Sequence, residues 1–225
     1  MTTKKINEST SKKLEDFIFK NRKTILCVVC VVVVAAAALC VVVGVRDSQN
    51  KKGLAAIDQI EFAYTAKAEN LSETDIAARQ NKVLDDVAAY VTKGGIVGVR
   101  ANMLAADVYF AKKDYPSALE SYLAAAKLGN KMYTAPICNY NAAVCSEELG
   151  KKDEALKYYL EAAGTKDFYL ASHALFNAGR IQESLGNDKD AAETYKKAVD
   201  GYSNDEWANL CQSRIIDLQV KGKID

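Results

Sequence analysis

Histidine, tryptophan and proline are all scarce in this chain. Its 225 residues include one histidine, one tryptophan and two prolines. A single histidine cannot supply a zinc site of the usual kind, and it leaves little basis for an acid–base pair. The shortage of proline leaves long helices uninterrupted. We therefore predict an all-α protein that has no cofactor, no bound metal and no enzymatic activity.

The net charge is also small, at +1 for the whole chain. Because residues 1–23 carry +4 and the uncharged stretch that follows carries none, residues 46–225 carry −3. A nearly neutral, slightly acidic domain lacks the basic surface that nucleic-acid binding requires. We therefore expect protein partners and no nucleic acid.

Cysteines divide evenly between the apolar stretch and the rest of the chain: Cys27, Cys30 and Cys40 lie inside it, and Cys138, Cys145 and Cys211 follow it. Cys138 and Cys145 are seven residues apart, about 10.5 Å along one helix. That separation is too large for a disulfide. We predict that the three later cysteines are small buried side chains.

A long apolar run, Thr24–Val45, contains no charged residue. A helix of that length covers about 33 Å, which is enough to cross a bilayer. Seven Lys or Arg residues and three acidic residues precede the run. Because basic flanks stay in the cytoplasm, residues 1–23 are expected to be a cytoplasmic tail and residues 46–225 an extracytoplasmic or periplasmic domain.

Two other interpretations of the run remain open. A cleaved signal peptide would have a shorter apolar region, of about 7–15 residues. The segment Ala37–Cys40 resembles a lipoprotein cleavage site, although Leu39 stands where a small residue is expected. The length of the run favours an uncleaved signal anchor in the plasma (inner) membrane.

Three stretches of the remaining sequence align with one another around Ala118, Ala155 and Ala191, which are 37 and 36 residues apart. Each stretch has a small residue twelve positions earlier, a tyrosine four positions later and an alanine seven positions later: Ala106, Ala143, Gly179; Tyr122, Tyr159, Tyr195; Ala125, Ala162, Ala198. Such a period indicates stacked helical hairpins and is close to the 34-residue tetratricopeptide unit. We expect repeats at about 99–130, 136–167 and 172–203.

Capping helices are expected on both sides, within 54–92 and at 205–220. The first region should hold two helices, Leu54–Ala68 and Ile76–Val91, the second capped by Ser72. The last helix should bury Trp207, Leu210, Ile215 and Leu218 and turn Arg214, Asp217 and Gln219 outward. The predicted fold is a single transmembrane helix followed by a tetratricopeptide-repeat α-solenoid.

The chain resembles a family of bacterial inner-membrane proteins. Its basic segment Leu14–Lys23 leads directly into one span and then into repeats, and Tyr202–Ala208 precedes the final helix. The same order occurs in the ancillary subunits of the Sec translocon, whose periplasmic repeats share a domain type with a cell-division coordinator. The resemblance implies association with translocon subunits, periplasmic chaperones or emerging secretory polypeptides.

In a tetratricopeptide domain the first helix of each repeat lines a concave groove. By repeat position the lining residues are expected to be Arg100, Met103, Asp107, Tyr140, Asn141, Val144, Glu147, His173, Phe176, Asn177 and Arg180. Asn141 and Asn177 occupy equivalent positions. In tetratricopeptide proteins that bind peptides, an asparagine there commonly bonds the ligand backbone, so we expect this role for both; the alternative is that asparagine is merely frequent at this repeat position.

Two functional hypotheses follow. In the first, the protein is a membrane-tethered adaptor that binds chaperones or emerging chains near the translocon. In the second, it is a structural subunit of another envelope complex, for division or outer-membrane assembly, with one permanent folded partner. Self-association into a homo-oligomer is also open.

Overall fold

The computed structural model describes the backbone of residues 2–66 and 71–225, and side chains from residue 12 onward within those ranges. All regular structure in these residues is α-helical. The helices, in chain order, are α1 (Thr2–Thr65), α2 (Glu73–Val87), α3 (Gly95–Ala111), α4 (Tyr115–Leu128), α5 (Thr134–Glu148), α6 (Lys152–Ala163), α7 (Ala171–Ser184), α8 (Asp188–Gly201) and α9 (Glu206–Val220).

The chain divides into two compact units, Met1–Lys52 and Gly53–Asp225. The first unit consists of the N-terminal part of α1. Within the described residues, α1 is the one helix that is long and apolar enough to cross a membrane. Side chains of the predicted span, Thr24–Val45, are exposed or nearly so throughout. By length and composition α1 therefore contains a candidate membrane span.

The second unit is a stack of helical hairpins. Its three hairpins are α3–α4, α5–α6 and α7–α8, and each packs against the next through adjacent helices. α9 packs on both α7 and α8. Ala118, Ala155 and Ala191 are each 0% exposed, as the repeat register predicts. The expected all-α, tetratricopeptide-type stack is confirmed.

The turns inside the hairpins require an unusual backbone conformation. Gly150 and Gly186 have φ of +71° and +79°, in the left-handed region that glycine adopts without strain. The equivalent residue of the first hairpin is Lys113, with φ of +60°. The first hairpin therefore places a lysine where the other two have glycine.

The two helices of the third hairpin cross at Gly179. A β-carbon built on Gly179 would lie 2.4 Å from Cε1 of Tyr195, on α8. Ala106 and Ala143 occupy the same position in the other hairpins and are 0% exposed. The predicted small residue at the crossing point is thus present in all three hairpins, and in the third the close approach of Tyr195 favours glycine.

The flanking helices differ in part from expectation. Ser72 caps α2, its hydroxyl accepting a hydrogen bond from the Asp75 backbone at 3.2 Å. α2 ends at Val87, four residues before the expected end at Val91, because the chain turns there through Tyr90 and Lys93. Ala68, the expected end of the helix that was predicted to begin at Leu54, lies outside the described residues.

In α9, the buried and the exposed residues differ in part from those that the sequence predicts. Leu210 is 41% exposed, and the buried residues of the helix are Ala208, Cys211 and Leu218. The side chain of Arg214 is 41% exposed, but its guanidinium also pairs with Glu183 of α7. The prediction failed because α9 packs on α7 and α8 like the first helix of a further repeat, whereas a polar outer cap had been expected.

Candidate functional site: the first-helix face

The first helices of the hairpins, α3, α5 and α7, carry all eleven predicted groove residues, and α9 follows them in the stack. We call the surface that these four helices form the first-helix face. Most of the predicted residues are partly or fully exposed there, but Tyr140 and Asn177 are only 9% and 8% exposed. These two are therefore mainly beneath the surface.

Tyr140 is the centre of a polar cluster between α5 and α7. Its hydroxyl lies 3.0 Å from Nδ1 of His173 and accepts a hydrogen bond from Nδ2 of Asn177 at 3.3 Å. Burial raises the pKa of Tyr140 to about 12, so the phenol stays protonated and can donate to the imidazole. One donor of the Asn177 amide is thus used within the protein, whereas Asn141 remains partly exposed.

Aromatic rings lie beside His173. Its imidazole is stacked on the indole of Trp207, with ring centroids 3.6 Å apart and an interplanar angle of 8°. The ring of Phe176 packs on the same indole, with ring centroids 5.2 Å apart. Burial is the main cause that lowers the pKa of His173; Asp205 raises it and Arg180 lowers it. A neutral imidazole fits both the hydrogen bond from Tyr140 and the stack on Trp207.

Trp207 was not among the predicted groove residues. It lies in the first turn of α9 and is partly exposed beside His173 and Phe176. A signal for it did exist in the sequence, because residue 207 is one repeat length after residue 173. Treating the last helix as the first helix of a fourth repeat would have placed Trp207 on this face.

An acid–arginine ladder joins successive first helices. Glu147 accepts a hydrogen bond from the hydroxyl of Tyr159 at 2.8 Å and pairs with Arg180 at 2.6 Å. Glu183 repeats this arrangement with the hydroxyl of Tyr195, at 2.6 Å, and with Arg214. Each acid therefore links the second helix of its own hairpin to the next first helix.

The first hairpin is different. Asp107 accepts from the hydroxyl of Tyr122 at 2.5 Å, and burial raises its pKa. In α5, the position equivalent to Arg180 of α7 is occupied by Val144. This helix therefore has no arginine at that position. Arg100 instead pairs with Asp58 and Glu61 of α1, at 2.8 and 2.7 Å. The face is thus acidic and charged toward α1, and aromatic toward α9.

The buried thiols give no reactive centre. Cys138, Cys145 and Cys211 are each 0% exposed, as predicted. Burial raises the pKa of each thiol to about 12. The thiolate form, which is the nucleophile and metal ligand, is therefore disfavoured at neutral pH. Among the described residues no group of His, Cys, Asp and Glu side chains is arranged to hold a metal ion.

The fold and this face define a helical-repeat protein built to contact other proteins. The Tetratricopeptide repeat family matches the chain at residues 84–133, 103–169 and 140–206. A TPR repeat-containing protein of Treponema pallidum is 31% identical over 168 residues, which cover 73% of this chain and 70% of that protein. The chain belongs to the tetratricopeptide repeat family.

Two further similarities are more limited. A TPR repeat-containing protein of Methanocaldococcus jannaschii is 41% identical over 61 residues, which cover 26% of this chain and 19% of that protein. The crystal structure of the apo form of RapI has a TM-score of 0.45 and 16% identity, covering 79% of this chain and 81% of that one.

Proposed function

We propose that this protein is a membrane-anchored scaffold whose first-helix face binds extended or partly folded polypeptide outside the cytoplasm. The proposal includes the finer role of an adaptor near the Sec translocon that receives emerging chains or the chaperones bound to them. One observation carries it: the partly exposed rings of His173, Phe176 and Trp207 form a continuous aromatic surface at the α7–α9 end of the face.

The chemistry of the face suits a polypeptide of varied sequence. Aromatic rings supply apolar contact area at a small cost in conformational entropy. The partly exposed amide of Asn141 lies on the neighbouring helix α5 and offers both a donor and an acceptor to a peptide group. Glu147 and Arg180 form an ion pair with each other. Neither side chain therefore needs a charged group of the ligand as its partner.

Anchoring follows from the candidate span in α1 and from its flanks. Basic residues precede Thr24–Val45, so the proposed topology has residues 1–23 in the cytoplasm and the repeats on the other side. A tether raises the local concentration of the repeats near other membrane proteins, so weak contacts at the face suffice.

The binding step can be tested with the full chain in lipid nanodiscs. The probe is a reduced, alkylated and fluorescently labelled protein that cannot fold, and the readout is fluorescence anisotropy. We expect Phe176→Ser and Asn141→Ala to weaken binding several-fold. Lys157→Ala, at an exposed position of the second-helix surface, is the matched control and should bind like the parent.

Circular dichroism of each variant establishes that the helices are intact. Equal affinity of all three variants would contradict binding at the first-helix face. Failure of the parent to bind any unfolded probe would favour the second hypothesis, a structural subunit with one folded partner.

A further inference from the structure

Three exposed tyrosines mark one edge of the hairpin stack. Tyr133, Tyr169 and Tyr202 lie between α4 and α5, between α6 and α7, and between α8 and α9. They are 80%, 71% and 37% exposed. We call this row the tyrosine edge. The loops at the opposite edge, 112–114, 149–151 and 185–187, contain no tyrosine.

Neither the fold nor the first-helix face explains these side chains. In two of the three loops a neighbouring large residue is the one that packs: Phe168 is 5% exposed and joins the core, whereas Tyr169 next to it points outward. Met132, beside Tyr133, packs near Val99. An exposed large ring that recurs at three successive loops indicates a surface that contacts something amphipathic.

Lysines accompany the tyrosines. Lys131 and Lys166 are exposed in the same loops, and Lys127 is exposed in the last turn of α4. Of the acids in these loops, Asp205 is engaged, because it accepts hydrogen bonds from Ser172 and from the Trp207 backbone, both at 2.8 Å. Asp167 is exposed. Interleaved tyrosine and lysine is the composition found where proteins meet anionic lipid headgroups.

The same edge is where the chain enters the hairpin stack. Gly53, the first residue of the second unit, packs on Val97 near the start of α3. Further along α1, Asp58 and Glu61 pair with Arg100. α1 and α3 therefore run in the same direction there, and Gly53 lies at the edge where α3 begins, beside the loops of the tyrosine edge.

In the sequence only residues 46–52 separate Gly53 from the candidate span, Thr24–Val45. Even a fully extended chain of that length reaches only about 25 Å. The proposed membrane anchor is thus joined to the repeat domain by a short connection, and that connection enters the domain at the tyrosine edge.

We infer that the tyrosine edge contacts the headgroup region of an anionic membrane, with Tyr133, Tyr169 and Tyr202 inserted among the headgroups and the lysines paired with lipid phosphates. Such a contact would leave the first-helix face available to polypeptide. The inference rests on the membrane anchoring proposed above, and it adds a lipid-binding surface to the repeat domain itself.

The test uses the full chain in nanodiscs that contain anionic phosphatidylglycerol, with a photocrosslinking amino acid at one position at a time. Tyr133 and Tyr169 are the test positions, and Lys113 and Leu185 of the opposite edge are the controls. Mass spectrometry counts lipid adducts on the protein. We expect several-fold more lipid adducts at the test positions than at the controls.

A second variant tests the tyrosines as a group. With the crosslinker at Lys131, the substitutions Tyr133→Ser, Tyr169→Ser and Tyr202→Ser together should reduce lipid adducts several-fold. Equal labelling at both edges, adducts to protein only, or no effect of the triple substitution would overturn the inference. A chain that is removed from membranes by alkaline carbonate would overturn the anchoring as well, whereas an anchored chain without lipid adducts would overturn only the inference.

Discussion

The imidazole of His173 lies flat on the indole of Trp207, 3.6 Å from centroid to centroid. The sequence contains one residue of each kind. The intrinsic fluorescence of the protein therefore reports directly on the protonation of this histidine, at the aromatic end of the first-helix face.

Lowering the pH is expected to quench the fluorescence of Trp207 with a midpoint below pH 6.5. Burial lowers the pKa of His173, so the ring is neutral at pH 7 and becomes a cation only in more acidic solution. An imidazolium stacked on indole quenches its emission. A midpoint at or above 6.5 would contradict the burial of His173. The substitution His173→Gln should abolish the transition, and a parent protein without any quenching would contradict the stack.

Stability should follow the same titration. Because the pKa of His173 is lower in the folded state than in the unfolded one, the unfolded chain binds more protons in that pH range. The contribution of His173 to the free energy of unfolding is therefore fully present above about pH 6.5. It decreases as the pH falls toward the pKa of the folded state. Denaturant unfolding of the parent and of His173→Gln at pH 7.5 and 5.5 isolates this contribution; equal losses in both proteins would exclude it.

Replacing Gly179 by alanine should destabilise the third hairpin. Alanine is the better helix former by about 1 kcal/mol. The added carbon, however, would lie 2.4 Å from a ring that the hydrogen bond between Tyr195 and Glu183 holds in place. Overpacking of this kind costs about 1–3 kcal/mol, so a net loss is expected.

Ala143→Gly is the matched control for that substitution, since Ala143 occupies the same position in the second hairpin. It should cost about 2 kcal/mol, through helix propensity and through loss of the buried methyl group of Ala143. Thermal unfolding followed by circular dichroism compares the two variants. A Gly179→Ala protein that is more stable than the parent would show that the ring of Tyr195 can move away.

Lys113→Gly should stabilise the protein. Lys113 has φ of +60°, a conformation that costs a residue with a side chain about 1–2 kcal/mol. Glycine relieves most of this cost but increases the entropy of the unfolded chain, so a gain of about 0.5–1 kcal/mol is expected. Gly150→Ala, at the equivalent turn, should lose stability by a similar amount, and a loss in both variants would contradict the argument.

Removing Arg214 should loosen α9. Its partner Glu183 is buried apart from 11% of its side chain, and the carboxylate would keep only the hydroxyl of Tyr195. Leaving a mostly buried charge without its cation costs about 1–3 kcal/mol. Hydrogen exchange should therefore speed up in α9 of Arg214→Gln.

Arg180→Gln is the comparison, because its partner Glu147 is more exposed, at 23%. Its effect should be smaller. Equal exchange rates in α9 of the parent and of Arg214→Gln would mean that the pair does not hold the last helix.

The hairpins could be predicted from sequence because their signals are steric. Gly179 and Tyr195 stand at a spacing that recurs in all three hairpins, because a small residue and a large ring meet where the two helices cross. The side of the helix that faces the core is therefore encoded locally.

The groove was predicted less completely because its contacts join residues one repeat apart. That Tyr140 is buried depends on His173 and Asn177 of the next hairpin. The contact of Arg214 with α7 depends on Glu183, which lies 31 residues earlier in the chain. Such pairings between helices leave no periodic signal within either helix.

Photocrosslinking in living cells shows whether the first-helix face of the anchored chain binds polypeptide. The crosslinker is placed at Phe176 or Asn141 of the full chain, with Lys157 and Glu193, exposed on the second helices, as controls. We expect adducts of many sizes at Phe176 and Asn141, formed with newly exported polypeptides and translocon subunits, and few at the controls. A single stoichiometric adduct with one folded protein, or equal labelling of both surfaces, would contradict it.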